Sequence, residues 1–596
     1  MKKVNALLIM ALILGLMSLV IPVVAQDGEN PGPGEGGTLI TDNPGGQDPR
    51  TFNPLLGSDT VSSAIYGQLF PAIISLDPDT LEAAPFPDAP GSLATGWEYS
   101  EDGLTLTITL REDATWNDGT PITAADYVWA FEAVCSGQTT SPRSNACFEL
   151  ADGTPAGGNI ISAEAVDDYT LVLTFATADC TSFDDINDIT PVPSHIFSEL
   201  YGTDYASMDE DLLRIPNVTF GVFKDVEFRP GEGTSLVDDQ SYPDTQLGYV
   251  VPSEWIYLSV PDTNVAVERF LAGEVTYTSI PANRQPELRD RSGDFQIFEY
   301  PQNGFTYMGY NLADPANPQP AVDESGNPID QGIHPIFGDV RVRQAFAHAV
   351  DIDAIVEGIL AGNGTRINTH TSPYNWVQPE LEPYAYDTEL ALSILAEAGW
   401  VDDDGDVATP LVCQGCLYAS EVDPAYEGSP LAFTLRTNSG NVVRERAAEA
   451  ITANLEAIGV DVDYQAVDFN GVLVPLLRSQ TYDAIIIGWS LALPANPDIS
   501  VFYGPGQDIP GSGFNAGSYN NEEFNTLLEE ANTLPGCDRE ERRARYERTL
   551  EILYEEQPYM YLFGTNLMVA AQSNLVNWNP LPLLAAWNID SWSVGN

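Results

Sequence analysis

Residues able to carry covalent chemistry are few in this sequence and stand apart from one another. Its four histidines, His195, His334, His348 and His370, fall in no His-Glu-x-x-His zinc pattern, and no Gly-x-Ser-x-Gly nucleophile turn is present. Among 87 acidic residues a glycosidase-like carboxylate pair is chemically available, yet no spacing singles one out. Cys413-Gln414-Gly415-Cys416 has the spacing of a redox pair or half a zinc site. No second Cys-x-x-Cys and no nearby histidine accompany it, which favours a loop staple. Asp402-Asp403-Asp404-Gly405-Asp406 offers carboxylates to calcium, but its glycine is misplaced for an EF-hand, so the run reads as a solvated turn. Gly32, Gly34 and Gly37 spell G-x-G-x-x-G without the strand before and helix after that a dinucleotide fold needs. Lys224 stands in no P-loop context. The expectation is a chain that is not an enzyme, with no catalytic residue, no metal ligand and no cofactor.

The elements that must position any site begin with the chain's size. A length of 596 residues exceeds one hydrophobic core, so two or three domains are expected, and 43% hydrophobic content supplies them. The formal net charge of -63 repels phosphate backbones, which argues against nucleic-acid partners. Lysine is confined to Lys2, Lys3 and Lys224. The charge reads either as an acidic surface suited to its medium or as a field drawing in cationic ligands.

Residues 1–25 read as a secretory signal: Lys2 and Lys3, an apolar run from Ala6 to Ile21, then Val23-Val24-Ala25 before Gln26. An uncleaved anchor is the alternative. No lipid-attachment cysteine follows, so the expected location is periplasmic or extracellular. Residues 26–37 read as a flexible linker. Six cysteines in an exported chain suggest disulfides. Cys135–Cys147 and Cys413–Cys416 are the obvious local pairs and leave Cys180 with Cys537, although connectivity does not follow from sequence.

Leu104, Leu106, Ile108 and Leu110 alternate with threonines, the period of a half-buried strand, between the turn signals Glu101-Asp102-Gly103 and Asn117-Asp118-Gly119. Thr123 and Asp126 have capping-box spacing and open a helix carrying Tyr127, Trp129, Ala130 and Phe131. A second alternating strand holds Leu171, Leu173 and Phe175. Later, Val443, Ala447, Ile451, Leu455 and Ile458 share a helical face that Gly459 closes, and alternation resumes from Val460 to Ala466. The apolar run Ala484–Ile487 reads as a central parallel strand of a βαβ arrangement, which places Gly488–Asp498 at a ligand cleft.

These segments, in order, resemble solute-binding protein family 5, which serves importers of peptides, nickel complexes and some oligosaccharides. The matching runs are Asn53–Thr60, Ile65–Phe70, Leu93–Arg111 with Trp116–Val128, Pro191–Phe197 (which holds His195), Asp339–Asp351 and Leu395–Trp400. The resemblance implies an α/β fold of periplasmic-binding-protein-like class II: two α/β lobes with a hinge and an inserted smaller β-rich lobe. Lobe I would take residues 38–59, 187–311 and 557–596, lobe II residues 60–186, and lobe III residues 312–556. The implied role is the capture subunit of an ABC importer, monomeric, delivering an oligopeptide-like solute to a membrane permease. A neutral oligosaccharide is the alternative solute; a secreted hydrolase and an acidic surface protein holding divalent cations are the alternatives of other classes.

The same resemblance implies the site. Ser58, Asp59 and Thr60 match a stretch of lobe I that lines the cleft in relatives, while as bare sequence they form an ordinary turn. Trp489, followed by Ser490, is either a stacking platform or a core residue under the sheet. Peptide-binding relatives hold an ammonium with an acid near Ala492 or Leu493, where none stands; Asn496-Pro497-Asp498 occupies a place that often reads Asp-Pro-Asp. Dipeptide-binding relatives hold a carboxylate with an arginine where this chain has Asn438, with Arg436 two residues earlier and Ser439 and Gly440 just after. Both charged readers therefore look absent, which disfavours a dipeptide zwitterion because an unpaired buried charge is costly.

Overall fold

The computed structural model describes residues 34–595 except 45–47, 58, 79, 81, 155, 157, 179, 181–182, 243–251, 324–325, 407–408 and 492–496. The expected signal, most of the expected linker, Ser58 and Asn496 lie outside the described residues.

The alternating threonine-rich run forms the strand Thr105–Leu110, with Leu106, Ile108 and Leu110 buried; Leu104 stays outside it, 36% exposed in the turn. The strand joins Ala94–Tyr99 and Thr170–Phe175, and Ile160–Asp167 completes an antiparallel four-stranded sheet. The helix Ala124–Val134 packs on it and begins at the anticipated capping box. Asp126 accepts from the Thr123 amide at 2.9 Å, from the Trp116 indole at 3.2 Å and from the Ser194 amide and hydroxyl at 2.9 and 2.6 Å. One carboxylate thus joins this inserted segment to the chain that leaves it.

A twelve-stranded mixed sheet forms the rest of the frame. At one end, Ala432–Asn438 lies between Asp461–Val467 and Ala484–Ser490, parallel to both. The helix Val442–Glu456 connects the first two, so the βαβ unit is present, with Ala447, Ile451 and Leu455 buried beneath it. At the other end, Thr38–Pro44 runs parallel to Glu254–Val260, and Tyr277–Ile280 meets it at Thr41–Tyr277. Aromatic and aliphatic side chains fill separate cores under the two ends, one including Phe52, Trp116 and Trp255, another Phe337, Phe433 and Ile486.

Two chain segments join the ends. The strand Tyr559–Gln572 pairs with Gly304–Tyr310 through its first residues and with Tyr277–Ile280 and Phe295–Pro301 through its last. Pro301 to Gly304 crosses beside it: Gln302 donates its amide to the Thr565 carbonyl at 2.8 Å, and the Thr565 hydroxyl donates to Gln302 Oε1 at 2.6 Å. Gly304 is required by close approach, since a Cβ there would meet the Trp489 carbonyl oxygen at 2.3 Å.

Three disulfides form, Cys135–Cys147, Cys180–Cys537 and Cys413–Cys416. Among the described residues no helix is long and apolar enough to cross a membrane. The acidic run at Asp402 folds as a turn, Asp402 accepting from the Gly405 amide at 2.7 Å and Asp404 from the Asp406 amide at 2.8 Å.

Candidate ligand-binding site

One cavity borders the paired crossings and a second is lined from the Thr38–Pro44 end of the sheet. The smaller, about 210 Å³, is lined by Gln302, Phe305, Thr306, Arg444, Trp489 and Thr565, among others. It lies at the carboxyl ends of the parallel strands, where an open α/β sheet leaves room for a ligand. Trp489 ends the buried run Ala484–Ile487. It stacks on Tyr307 with ring centroids 6.1 Å apart, contacts Phe502 at 4.8 Å, and still presents a face to the cavity. It is partly buried against the core and also lines the cavity. Ser490 lines the same cavity.

Arg444 brings charge to this cavity from the first turn of the helix Val442–Glu456. Its Nη1 donates to Asn438 Oδ1 at 3.1 Å, and among the described residues no carboxylate pairs with it. Burial pushes its pKa below the usual arginine value. A guanidinium held by a neutral amide and left without a counter-ion is chemically suited to a carboxylate or carbonyl oxygen. Asn438 is therefore the support of a charged group. Arg436 points elsewhere, donating to Gln465 at 3.2 Å, and lines neither cavity. Ser439 and Gly440 form the exposed turn after the strand, with the Gly440 amide on Glu445 at 2.6 Å and Gly440 at φ +87. Asp498, one residue before the N-cap Ile499 of the short helix Ser500–Tyr503, accepts from the Ser500 amide and hydroxyl and lines neither cavity.

The larger cavity, about 1010 Å³, is lined by residues of the strands Thr38–Pro44, Glu254–Val260 and Tyr277–Ile280 and of the C-terminal segment. Asp59 and Thr60 line it, as does the Val61 face of the helix that Asp59 caps by accepting from the Ser62 amide at 2.9 Å. Its aromatic wall is Trp255, Tyr257, Tyr277, Trp587 and Trp592. Asp42 closes one side where the strands Thr38–Pro44 and Tyr277–Ile280 cease to pair. Its Oδ2 accepts from the Thr278 hydroxyl at 3.0 Å, and its Oδ1 has no partner among the described residues. Burial raises the Asp42 carboxyl to about 6, only partly offset by the Thr278 bond.

Neither Arg444 nor Asp42 was visible in the linear pattern. Arg444 sits within Arg444-Glu445-Arg446, a run that alone reads as a solvated helix face. Asp42 breaks the Thr-Leu-Ile-Thr run that opens its strand, a weak signal.

The family model described as bacterial extracellular solute-binding proteins, family 5 Middle, matches residues 89–511, and the chain belongs to this family. Its fold is the class II periplasmic-binding-protein type, shared with HbpA2 from Haemophilus parasuis at a TM-score of 0.71 and 19% identity, over 91% of this chain and 97% of that one. Oligopeptide-binding protein AppA of Bacillus subtilis (strain 168) is 25% identical over 565 residues, which span 94% of this chain and 92% of AppA. The structure of AppA in complex with a nonapeptide has a TM-score of 0.62 and covers 95% of this chain and 100% of that one.

Proposed function

We propose that this protein is the extracytoplasmic substrate-binding subunit of an ABC importer and that its solute is an oligopeptide, enclosed by hinge closure and passed unchanged to a permease. The observation that carries the reading is the cavity bordering two hydrogen-bonded chain crossings, which holds Trp489 and an Arg444 without a counter-ion among the described residues. Crossings at 301–304 and 563–566 let two halves rotate as bodies, and closure follows if ligand binds the shut form better. Placing the lobe boundaries at these crossings, rather than at 311 and 557 as the sequence suggested, gives lobe I the strands around Thr38–Pro44, lobe II the inserted four-stranded sheet, and lobe III the parallel strands with Gly304–Tyr310. AppA, whose relative length and coverage match, binds an oligopeptide by name and holds a nonapeptide in its structure. A neutral oligosaccharide would leave Arg444 unpaired, so peptide is preferred over it.

Thermal unfolding with a library of five- to ten-residue peptides tests this. A bound peptide at 100 times its Kd should add about 2.7 kcal/mol of stability. Mass spectrometry should return the peptide intact. Cleavage products would place the chain among hydrolases, and stabilisation by Ca²⁺ alone would place it among cation-holding surface proteins.

A further inference from the structure

The larger cavity combines features that select for charge. We propose that it is a subsite for a cationic group of the ligand, an ammonium or guanidinium carried by a basic peptide side chain or amino terminus, with Asp42 as its counter-charge and the surrounding rings as its walls. The inference rests on the peptide-binding reading and adds the ligand's charge to it.

Three observations converge. First, the charged side chains lining the cavity are Asp42 and Asp59, and no lysine or arginine lines it. Second, Asp42 is only 6% exposed, and one of its oxygens lacks any partner among the described residues. A buried carboxylate in that condition is costly unless a cation or donor reaches it. Burial raises its carboxyl, with the Thr278 bond and the more distant charge of Arg269 opposing the shift only in part. Third, the wall is aromatic: Trp255 and Tyr257 have ring centroids 5.2 Å apart, and Tyr277 and Trp592 5.6 Å. Their indole donors are already engaged, Trp255 with Thr41 at 2.8 Å and Trp592 with Asn588 at 2.9 Å. The faces of such rings attract cations most strongly where water is excluded. Asp59 is committed to its helix cap and contributes only field. The cavity volume exceeds what one side chain fills, so the cation can enter with its neighbours in the peptide.

Calorimetric titration of the mature protein with matched heptapeptides tests the subsite, one position being arginine, glutamine or glutamate and the amino terminus acetylated or free. The wild type should bind the arginine peptide at least tenfold more tightly than the glutamine peptide, and the glutamate peptide most weakly. Asp42→Asn should bring arginine and glutamine peptides to within about twofold, with the larger loss falling on the arginine peptide. Trp587→Ala, at a ring that is 38% exposed, should weaken the arginine peptide severalfold without unfolding the protein. Equal wild-type affinity for arginine and glutamine peptides, or an equal loss for both in Asp42→Asn, would overturn the subsite while leaving the peptide reading standing. If no peptide binds, that reading fails by itself, and millimolar arginine amide then probes the subsite directly. Stabilisation of the wild type but not of Asp42→Asn supports it, and stabilisation of neither overturns it.

Discussion

At Asp42 and Arg444 the chain keeps charges that folding alone does not reward. The Asp42 carboxyl is raised to about 6, so its charged form is disfavoured in the folded state. Its contribution to stability is fully present below the ordinary carboxylate range near pH 4 and is lost as pH rises through 6. Asp42→Asn should therefore raise the melting temperature of the ligand-free protein at pH 7.5 and have little effect at pH 4, with a difference of about 2–3 kcal/mol read from denaturant unfolding at the two pH values. Equal effects at both would contradict the burial argument. For Arg444, replacement by Gln should cost a peptide with a free carboxyl terminus about 1.5–3 kcal/mol of binding, the worth of a charged hydrogen bond, and leave its amidated counterpart unchanged. These residues were hidden from sequence reading because each acquires its role from groups far away in the chain: Thr278 for Asp42, and the cavity wall at Gln302 and Thr565 for Arg444. Trp489 stood out because it follows a conspicuous apolar run, and its contacts with the core and with the cavity match the two alternatives its position offers.

Elements were easier to read than sites where their signals are local. The Thr105–Leu110 strand, the helix opening at Thr123 and the βαβ unit around Val442–Glu456 follow from period and capping chemistry within a dozen residues. What escaped is partnership at a distance, as when Ser194 comes back to Asp126 across the inserted segment. Asp126→Ala removes bonds to Thr123, Trp116 and Ser194 together, and should cost about 2–4 kcal/mol in urea unfolding, more than a surface cap is worth. Gly304→Ala tests the crossing strand. Its Cβ would overlap the Trp489 carbonyl, and a loss of about 1–3 kcal/mol is expected together with weakened peptide binding, because Trp489 must shift.

Across the whole molecule, the local cysteine pairs were readable from spacing, whereas Cys180–Cys537 followed only as the remainder. Its importance is topological. Cys180 follows the four-stranded sheet and Cys537, at a sequence separation of 357, lies between the helices Glu522–Asn532 and Arg539–Glu556. Arg539 and Glu82 form an ion pair that joins the same two regions. Any rotation about the crossings must keep the two cysteine Cα atoms near 5.4 Å, so the disulfide bounds how far the halves part. A Cys180→Ser, Cys537→Ser double variant should unfold about 2–4 kcal/mol more easily and show a larger radius of gyration without ligand. The order of matching segments along the chain made the family and fold readable. The cavities were not, because they belong to the meeting of segments that sequence order keeps apart.

Enclosure of a guest is the central claim, and distance across the hinge measures it most directly. Fluorophores at Val265 and Val422, surface positions 49% and 50% exposed on the two sides of the crossings, report that distance by energy transfer. Addition of a bound oligopeptide should shift the population to a shorter separation, saturating with the calorimetric Kd. A separation unchanged at full peptide occupancy would contradict the account.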